Sequence, residues 1–254
     1  MKKVILAIAV LALVALALAS CPTSQGSLKK DAQGMPGVVS AEAFEAEGDD
    51  AIPFQNIPKE VRVVISRHAT AAEILNVVAK YDDEGDNLNG VEVVFQGDRH
   101  RVAFYGDHAS TAMIEDFASA YHDPAVTSYQ MTGSRTGFWV DERRESTSLP
   151  ELVATAERKF KIAGADAVYV SAGRRLGVSL DPGNGDVSVA RARIAFALDL
   201  LKRVPLTGAV IDGRDSLVLF VAPTDLVRTE RWVRSHASTQ VGDVKVNPKG
   251  PSPW

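Results

Sequence analysis

Hydrophobic residues recur along this chain with two alternating periods, one typical of strands and one typical of helices. Within Glu60–Ser66 the alternate residues Val61, Val63 and Ile65 are apolar, and such alternation predicts a strand with one buried face. From Ala71 to Val78 the apolar residues instead lie three or four positions apart, which predicts a helix lying on a sheet. The two periods therefore place a strand directly before a helix.

This arrangement of two strands followed by one helix recurs five times, at a spacing of about 40 residues. Two of the helices begin with a capping box, Thr70 with Glu73 and Ser148 with Glu151. The predicted strands are Val38–Ala46, Glu60–Ser66, Val91–Phe95, Arg101–Tyr105, Val126–Met131, Gly137–Val140, Ala167–Val170, Gly177–Leu180, Ala209–Ile211 and Leu217–Val221. The predicted helices begin at Thr70, before Met113, at Ser148, at Val187 and near Thr224.

Hairpins that alternate with helices predict an α+β fold with mainly antiparallel sheets and helices on one face. When the order is taken as β-α-β-β-α-β, the chain contains two ferredoxin-like units in tandem. The first domain is expected over residues 37–133 and the second over residues 134–236. Residues 237–254 are rich in proline and glycine, and we expect an irregular C-terminal tail with one short strand at Val244–Val246.

The first 21 residues predict where in the cell the protein is located. Lys2 and Lys3 precede an uncharged apolar run, Val4–Leu18, which is shorter than the ~20 residues that span a bilayer and is typical of a signal peptide. The run ends in Leu-Ala-Ser-Cys at residues 18–21, which resembles the lipobox of bacterial lipoproteins. The resemblance implies cleavage after residue 20 and a diacylglycerol on Cys21. The alternative is a secreted protein with an incidental cysteine.

This resemblance places the mature protein on the extracytoplasmic face of the cell membrane, with residues 21–36 as a polar tether. The membrane is then a partner through the lipid anchor. The chain from residue 21 keeps 26 of the 28 basic residues and all 32 acidic ones, a formal net charge of −6. A mildly acidic chain excludes nucleic acid as its main partner. Cys21 is the single cysteine, so the chain has no disulfide of its own.

Candidate catalytic residues are few. His68, Asp107 and His108 lie at two strand-to-helix junctions, with Asp98 and His100 nearby. Two imidazoles and a carboxylate could perform acid–base chemistry or hold a metal, but turn and cap chemistry also accounts for them. No catalytic residue, metal or cofactor is therefore assigned, and these residues remain weak candidates.

Other polar segments are interpreted as surface. The acidic loop 82–90 resembles a calcium loop at its first positions, but Asn87 replaces the required glycine and Val93 the closing acid. Arg191 and Arg193 lie off the apolar stripe of their helix, which predicts solvent exposure. Phe138 and Trp139 are expected within a core strand.

Three hypotheses for the function follow. The preferred one is a non-enzymatic, membrane-anchored interaction or binding module of the cell envelope, whose partner is another envelope protein. The second is a lipoprotein that binds an unidentified ligand in a cleft between its two halves. The third is a hydrolase that uses the region of His68 and His108.

Overall fold

The structure, a computed structural model, describes residues 25–45, 59–82, 88–97, 100–105, 110–134, 137–163, 167–181, 187–212 and 216–247. Its strands form one sheet, and their order across the sheet is their order along the chain. The strands are β1 Val38–Glu45, β2 Lys59–Ile65, β3 Leu88–Phe95, β4 Arg101–Tyr105, β5 Val126–Ser134, β6 Gly137–Arg144, β7 Ala167–Ala172, β8 Leu176–Leu180, β9 Leu206–Ile211, β10 Leu217–Val221 and β11 Val244–Asn247. The helices are α1 Gln25–Ala32, α2 Ala71–Asp82, α3 Thr111–His122, α4 Leu149–Ala163, α5 Ser188–Leu201 and α6 Leu226–His236, the last preceded by a 3₁₀ turn at Pro223–Asp225.

Antiparallel and parallel pairs alternate across the sheet. Each predicted hairpin forms an antiparallel pair, as in β3 with β4, where Val93 pairs with Val102. Each of the helices α2 to α6 joins two parallel strands that are direct neighbours, as in β2 with β3, where Val61 pairs with Val91. The parallel pairs are β2 with β3, β4 with β5, β6 with β7, β8 with β9 and β10 with β11.

The prediction of two ferredoxin-like units with mainly antiparallel sheets is wrong. The described strands form a single mixed sheet, and half of their neighbouring pairs are parallel. In the split β-α-β arrangement of a ferredoxin-like unit, another strand lies between the two that a helix joins; here none does. Hydrophobic periodicity predicts where each strand lies in the sequence, but it does not predict which strands pair. The prediction failed in the assignment of strand pairs. The sheet also continues through residue 134, because β5 and β6 pair from Val126 with Arg144 to Ser134 with Gly137.

All the helices in the described part of the chain pack on one face of this sheet. The side chains at alternate strand positions on that face are buried, among them Val63, Val93, Met131, Val168 and Leu219. The helices α2, α3, α4 and α5 contact one another in succession, and α5 meets α6 through Phe196 and Trp232, whose ring centroids are 4.9 Å apart. A single apolar layer therefore joins the helices to one side of the sheet.

No helix among the described residues lies on the opposite face, which we call the bare face, and the direction of the crossovers explains this. Strands β2 and β3 run opposite to β4 and β5, since β3 and β4 are antiparallel. Crossovers that were all right-handed, as is usual, would place successive helices on opposite faces of the sheet. Because the helices share one face, successive crossovers alternate in hand. The described helices therefore leave the second face of the sheet uncovered.

The two ends of the described chain also join this plan. Helix α1 lies within the segment predicted as a tether and packs against β1 through residues that include the buried Ala32. Strand β11 pairs in parallel with β10. No helix among the described residues is long and apolar enough to cross a membrane.

Candidate functional site

The bare face of the sheet carries a row of polar and aromatic residues in register. Gln130 on β5 pairs with Asp141 on β6, which pairs with Tyr169 on β7 and, through it, with Ser179 on β8. In the next row Thr132 pairs with Trp139. Because residues that pair across a sheet point to the same face, these side chains stand together on the bare face.

These rows line a groove of about 400 Å³, which we call the acid–aromatic groove. Its floor comes from β5 to β9, and its described lining contains three aspartates, two large aromatic residues and several uncharged polar groups. The polar and aromatic side chains that line the groove are Gln130, Thr132, Trp139, Asp141, Tyr169, Ser179, Asp181 and Asp212.

The two aromatic residues of the groove are exposed, although both lie on strands of the sheet. Trp139 is 50% exposed and Tyr169 is 38% exposed. A Cβ atom added at Gly177 would lie 2.9 Å from the Tyr169 hydroxyl, so a glycine on β8 leaves room for this ring beside the strand. Burial and the nearby charges of Asp141 and Asp212 raise the pKa of Tyr169, opposed by Arg143 and a hydrogen bond with Ser171.

Asp141 lies between the two aromatic residues, and one of its two carboxylate oxygens has no hydrogen-bond donor among the described residues. Its Oδ1 atom is buried and has no partner among the described protein atoms, whereas its Oδ2 atom lies 3.6 Å from Arg143 Nη2. Burial raises the pKa of Asp141, and Arg143 opposes this shift. A buried acceptor without a donor costs free energy, and a ligand that brought a donor would remove this cost.

A second groove of about 530 Å³ lies beside the first on the bare face, and we call it the arginine groove. Arg62, Arg101 and Arg143 line it together with Glu92. Glu92 pairs with Arg62 and lies 3.6 Å from Arg101 Nη1. Gln130 lines both grooves and accepts a hydrogen bond of 3.0 Å from Arg101 Nη2. The bare face therefore has an acidic half and a basic half in contact.

On the helical face, the structure buries a cluster of charged side chains. Lys159 Nζ donates to Asp116 Oδ2 and contacts Glu142 Oε2, both at 2.6 Å. The side chains of Lys159 and Glu142 are 1% exposed and that of Asp116 is 4% exposed. This buried charge cluster also contains three outer members, Tyr129, Arg144 and Arg158.

The outer members complete the hydrogen bonding of the two carboxylates. Tyr129 donates to Asp116 Oδ2 at 2.9 Å, and Arg158 donates to Asp116 Oδ1 at 2.8 Å. Arg144 donates to Glu142 Oε1 at 2.7 Å. Burial raises the pKa of Asp116, but Lys159, Tyr129 and Arg158 outweigh this effect and hold it below its usual value. Burial and the negative charge of Asp116 raise the pKa of Tyr129 well above its usual value.

The sequence-predicted candidates lie elsewhere. His68 is exposed in the turn before α2, where its backbone N–H donates to Ser66 Oγ. His100 is buried, with its ring edge-on to Tyr121 at 5.4 Å between centroids. Asp98, Asp107 and His108 lie outside the described residues, as does Cys21. The structure therefore leaves the hydrolase hypothesis untested.

Sequence reasoning missed the residues of both sites. Trp139 was expected in the core but stands on the bare face. Lys159, Asp116 and Glu142 were not singled out, although a signal existed. Each occupies a position with buried apolar neighbours on the same face: Lys159 follows Leu152 and Ala156 at helical spacing, Asp116 lies three residues after Met113, and Glu142 lies two residues after Val140.

Among the described residues, no group of three or more histidine, cysteine or acidic side chains is arranged to hold a metal ion. Comparison with protein-family models, with curated proteins and with solved structures finds no match for this chain.

Proposed function

We propose that this protein is a lipid-anchored, extracytoplasmic binding module, and that its acid–aromatic groove holds a positively charged segment of a partner protein. The observation that carries the proposal is the juxtaposition of Trp139 and Tyr169 with Asp141, Asp181 and Asp212 on the face of the sheet that no described helix covers. Recognition by aromatic faces and carboxylates accounts for these residues without a reacting atom.

The chemistry of the groove favours a cation. An ammonium or guanidinium group over a tryptophan or tyrosine ring gains about 0.5–2 kcal/mol from the ring quadrupole, more when water is excluded. The same group donates hydrogen bonds, and Asp141 Oδ1 is a buried acceptor without a described donor. A lysine or arginine side chain would meet both requirements.

The arginine groove determines the orientation in which the partner segment binds across the face. A segment lying across both grooves would place its positive residues over Asp141 and its negative residues over Arg62 and Arg101. Complementary charge of this kind raises the association rate and disfavours a partner in the reversed direction. The preferred occupant is therefore a segment with separated positive and negative residues.

The alternative of a ligand held between two halves needs two separate units. The groove lies instead on one continuous sheet, built by β5 to β9. The groove could instead hold a small molecule or a glycan. The experiment must therefore distinguish such a ligand from a charged protein segment.

Calorimetric titration of the full chain in non-ionic detergent tests the proposal with three probes: a short lysine-rich peptide, a glutamate-rich peptide of equal length and a neutral oligosaccharide. We expect the lysine-rich peptide to bind at least about tenfold more tightly than the other two, equivalent to 1.4 kcal/mol. Salt should weaken this binding.

Two variants and a matched control locate the binding. Trp139→Ala and Asp141→Asn should each weaken binding of the lysine-rich peptide several-fold. Val227→Ala, which changes a 65% exposed residue on α6, should leave it unchanged. Tighter binding of the oligosaccharide would replace the proposal with a glycan site, and equal weakening by the Val227 variant would overturn the assignment to the groove.

A further inference from the structure

The buried charge cluster holds the three groups that an amide condensation needs. Lys159 supplies a nitrogen, Asp116 supplies a carboxyl group and Glu142 supplies a second carboxylate that can carry a proton. Lys159 Nζ lies 2.6 Å from an oxygen of each acid, and these three side chains are at most 4% exposed. The ammonium also lies over the Tyr129 ring, 4.6 Å from its centroid.

Burial changes the balance between an ion pair and an amide. In water, an ammonium and a carboxylate are each hydrated, and the surrounding solvent favours hydrolysis of an amide. In a dry core both ions lose their hydration, which costs free energy for each ion, whereas an amide is neutral and leaves one N–H and one C=O to satisfy. Condensation therefore removes two buried charges and releases one water molecule.

We propose that Lys159 and Asp116 become joined by an intramolecular amide bond between Nζ and Cγ, with Glu142 as the proton carrier. Glu142 takes a proton from the Lys159 ammonium, and the free amine attacks Asp116 Cγ. The N–C bond forms and the bond from Cγ to Oδ2 breaks. Glu142 passes two protons in turn from the nitrogen to Oδ2, which leaves as water. The ammonium and the carboxylate become one amide and one water, so atoms and charge balance without a further reactant.

The remaining members of the cluster have roles that match their positions. Arg158 donates to Asp116 Oδ1 at 2.8 Å, where it would stabilise the negative charge that this oxygen carries after attack. Tyr129 donates to Oδ2, the leaving oxygen, at 2.9 Å. Arg144 holds Glu142 through Oε1 and leaves Oε2 directed at Lys159. Asp123 Oδ2 also lies 2.6 Å from Arg144 Nη2. After the reaction the negative charges of Glu142 and Asp123 therefore still equal the positive charges of Arg144 and Arg158.

Other lysine–aspartate pairs in the described part of the chain lack these conditions. The Lys80 side chain is 45% exposed and lies 3.9 Å from Asp31 Oδ1. Lys245 and Asp243 are both more than 60% exposed. Water reaches these pairs, and they are expected to remain ions. They serve as internal controls for the experiment.

The bond would tie α3 to α4 across 43 residues of chain. A cross-link stabilises a fold by restricting the unfolded chain, which is the effect that disulfides have in many extracytoplasmic proteins. This chain has one cysteine and so cannot form a disulfide within itself. An amide between Lys159 and Asp116 would supply the covalent constraint that its cysteine content excludes.

Mass spectrometry of the purified full chain after denaturation and trypsin digestion tests the proposal. Trypsin should not cleave after a modified Lys159. The expected product is a branched peptide that joins residues 102–135 to residues 159–161, lighter by one water than its two parts. Separate peptides, with cleavage after Lys159, would overturn the proposal without any variant.

Two variants distinguish catalysis by Glu142 from simple proximity. Glu142→Gln retains the size of the side chain and removes the proton carrier, so the branched peptide should fall at least tenfold while circular dichroism shows a folded chain. Asp116→Asn should still react, with loss of ammonia in place of water. A branched peptide of undiminished yield in Glu142→Gln would remove Glu142 from the mechanism, and Lys80→Met should change neither result.

Discussion

At the scale of single residues, the buried charged side chains of this protein fall into two groups, those with well-placed charged or hydrogen-bonding partners and those without. Lys159, Asp116 and Glu142 are buried, but each has at least two charged or hydrogen-bonding neighbours. Breaking such a cluster by removing one member typically costs about 3–5 kcal/mol, since an unpaired charge then remains in the core. Asp141 is the opposite case, a partly buried carboxylate with one arginine 3.6 Å away.

Asp141 should therefore cost stability at neutral pH. Its pKa is raised in the folded state, so the folded protein binds the proton more tightly than the unfolded chain and loses stability as the pH rises through the acidic range. We expect Asp141→Asn to raise the free energy of unfolding at pH 7 by up to about 1 kcal/mol, because a third of the side chain is exposed and screened. Urea unfolding at pH 7 and at pH 3 measures the effect.

The gain should disappear at pH 3, where Asp141 is protonated and resembles asparagine. The same substitution should weaken binding of the lysine-rich peptide, which is the usual trade of stability for function at a binding site. A loss of stability at pH 7 would contradict the assignment of Asp141 as an unsatisfied carboxylate. Glu92→Gln, in a carboxylate held by Arg62 and Arg101, is the control and should not stabilise the protein.

At the scale of elements, local capping fixes where helices begin. Glu73 Oε2 accepts from the Thr70 backbone N–H at 2.7 Å, and Thr70 Oγ1 accepts from the Glu73 N–H at 3.3 Å. These two bonds satisfy backbone donors that the first turn of a helix leaves without partners. The helix α2 then packs its stripe, including Ile74 and Val77, against the sheet.

Thr70→Ala should lower the free energy of unfolding by about 0.5–2 kcal/mol, because it removes the capping hydroxyl at the start of α2. Ser235→Ala is the matched control, since its hydroxyl bonds to carbonyl groups within α6 and caps no helix start. The midpoint of urea unfolding measures both. Equal effects of the two substitutions would show that the capping box contributes nothing specific.

At the scale of the whole molecule, the main feature is a sheet with one face covered by the described helices and one bare face. The helices bury an apolar layer on one side of all the central strands, and the other side carries the two grooves. A sheet face left open to solvent is common in antiparallel sheets, but here it results from crossovers that alternate in hand. We propose that the lipid on Cys21 holds this molecule at the membrane with the grooves available to a partner.

Cys21→Ser should release the protein from the membrane or leave an uncleaved precursor, because it removes the sulfur that would carry the diacylglycerol. Two or more acyl chains hold a protein stably on a bilayer, whereas one alone is marginal. Fractionation and labelling with radioactive palmitate measure the outcome, with Ser27→Ala as a control that should remain labelled and membrane-bound. Label in the Cys21→Ser protein would refute the anchor.

The sequence by itself determined the features that depend on near neighbours. The predicted strands and helices lie where the periods of two and of three to four placed them, with ends that differ by a few residues, and the capping boxes at Thr70 and Ser148 form. These features can be predicted from the sequence because hydrophobic periodicity and helix capping involve only residues within one turn or one strand. Helix α1, in the segment predicted as a tether, was not predicted.

Tertiary structure alone decided which strands are neighbours, which face is covered and which charges meet. The predicted ferredoxin-like pairing failed, since the same elements can be arranged in more than one order and the pairing energy is non-local. Arg193, expected in solvent, is buried and donates to the backbone oxygen of Val241 across 48 residues. Lys159 meets Asp116 across 43 residues. Contacts at such separations depend on the register of the whole sheet, which no local pattern in the chain encodes.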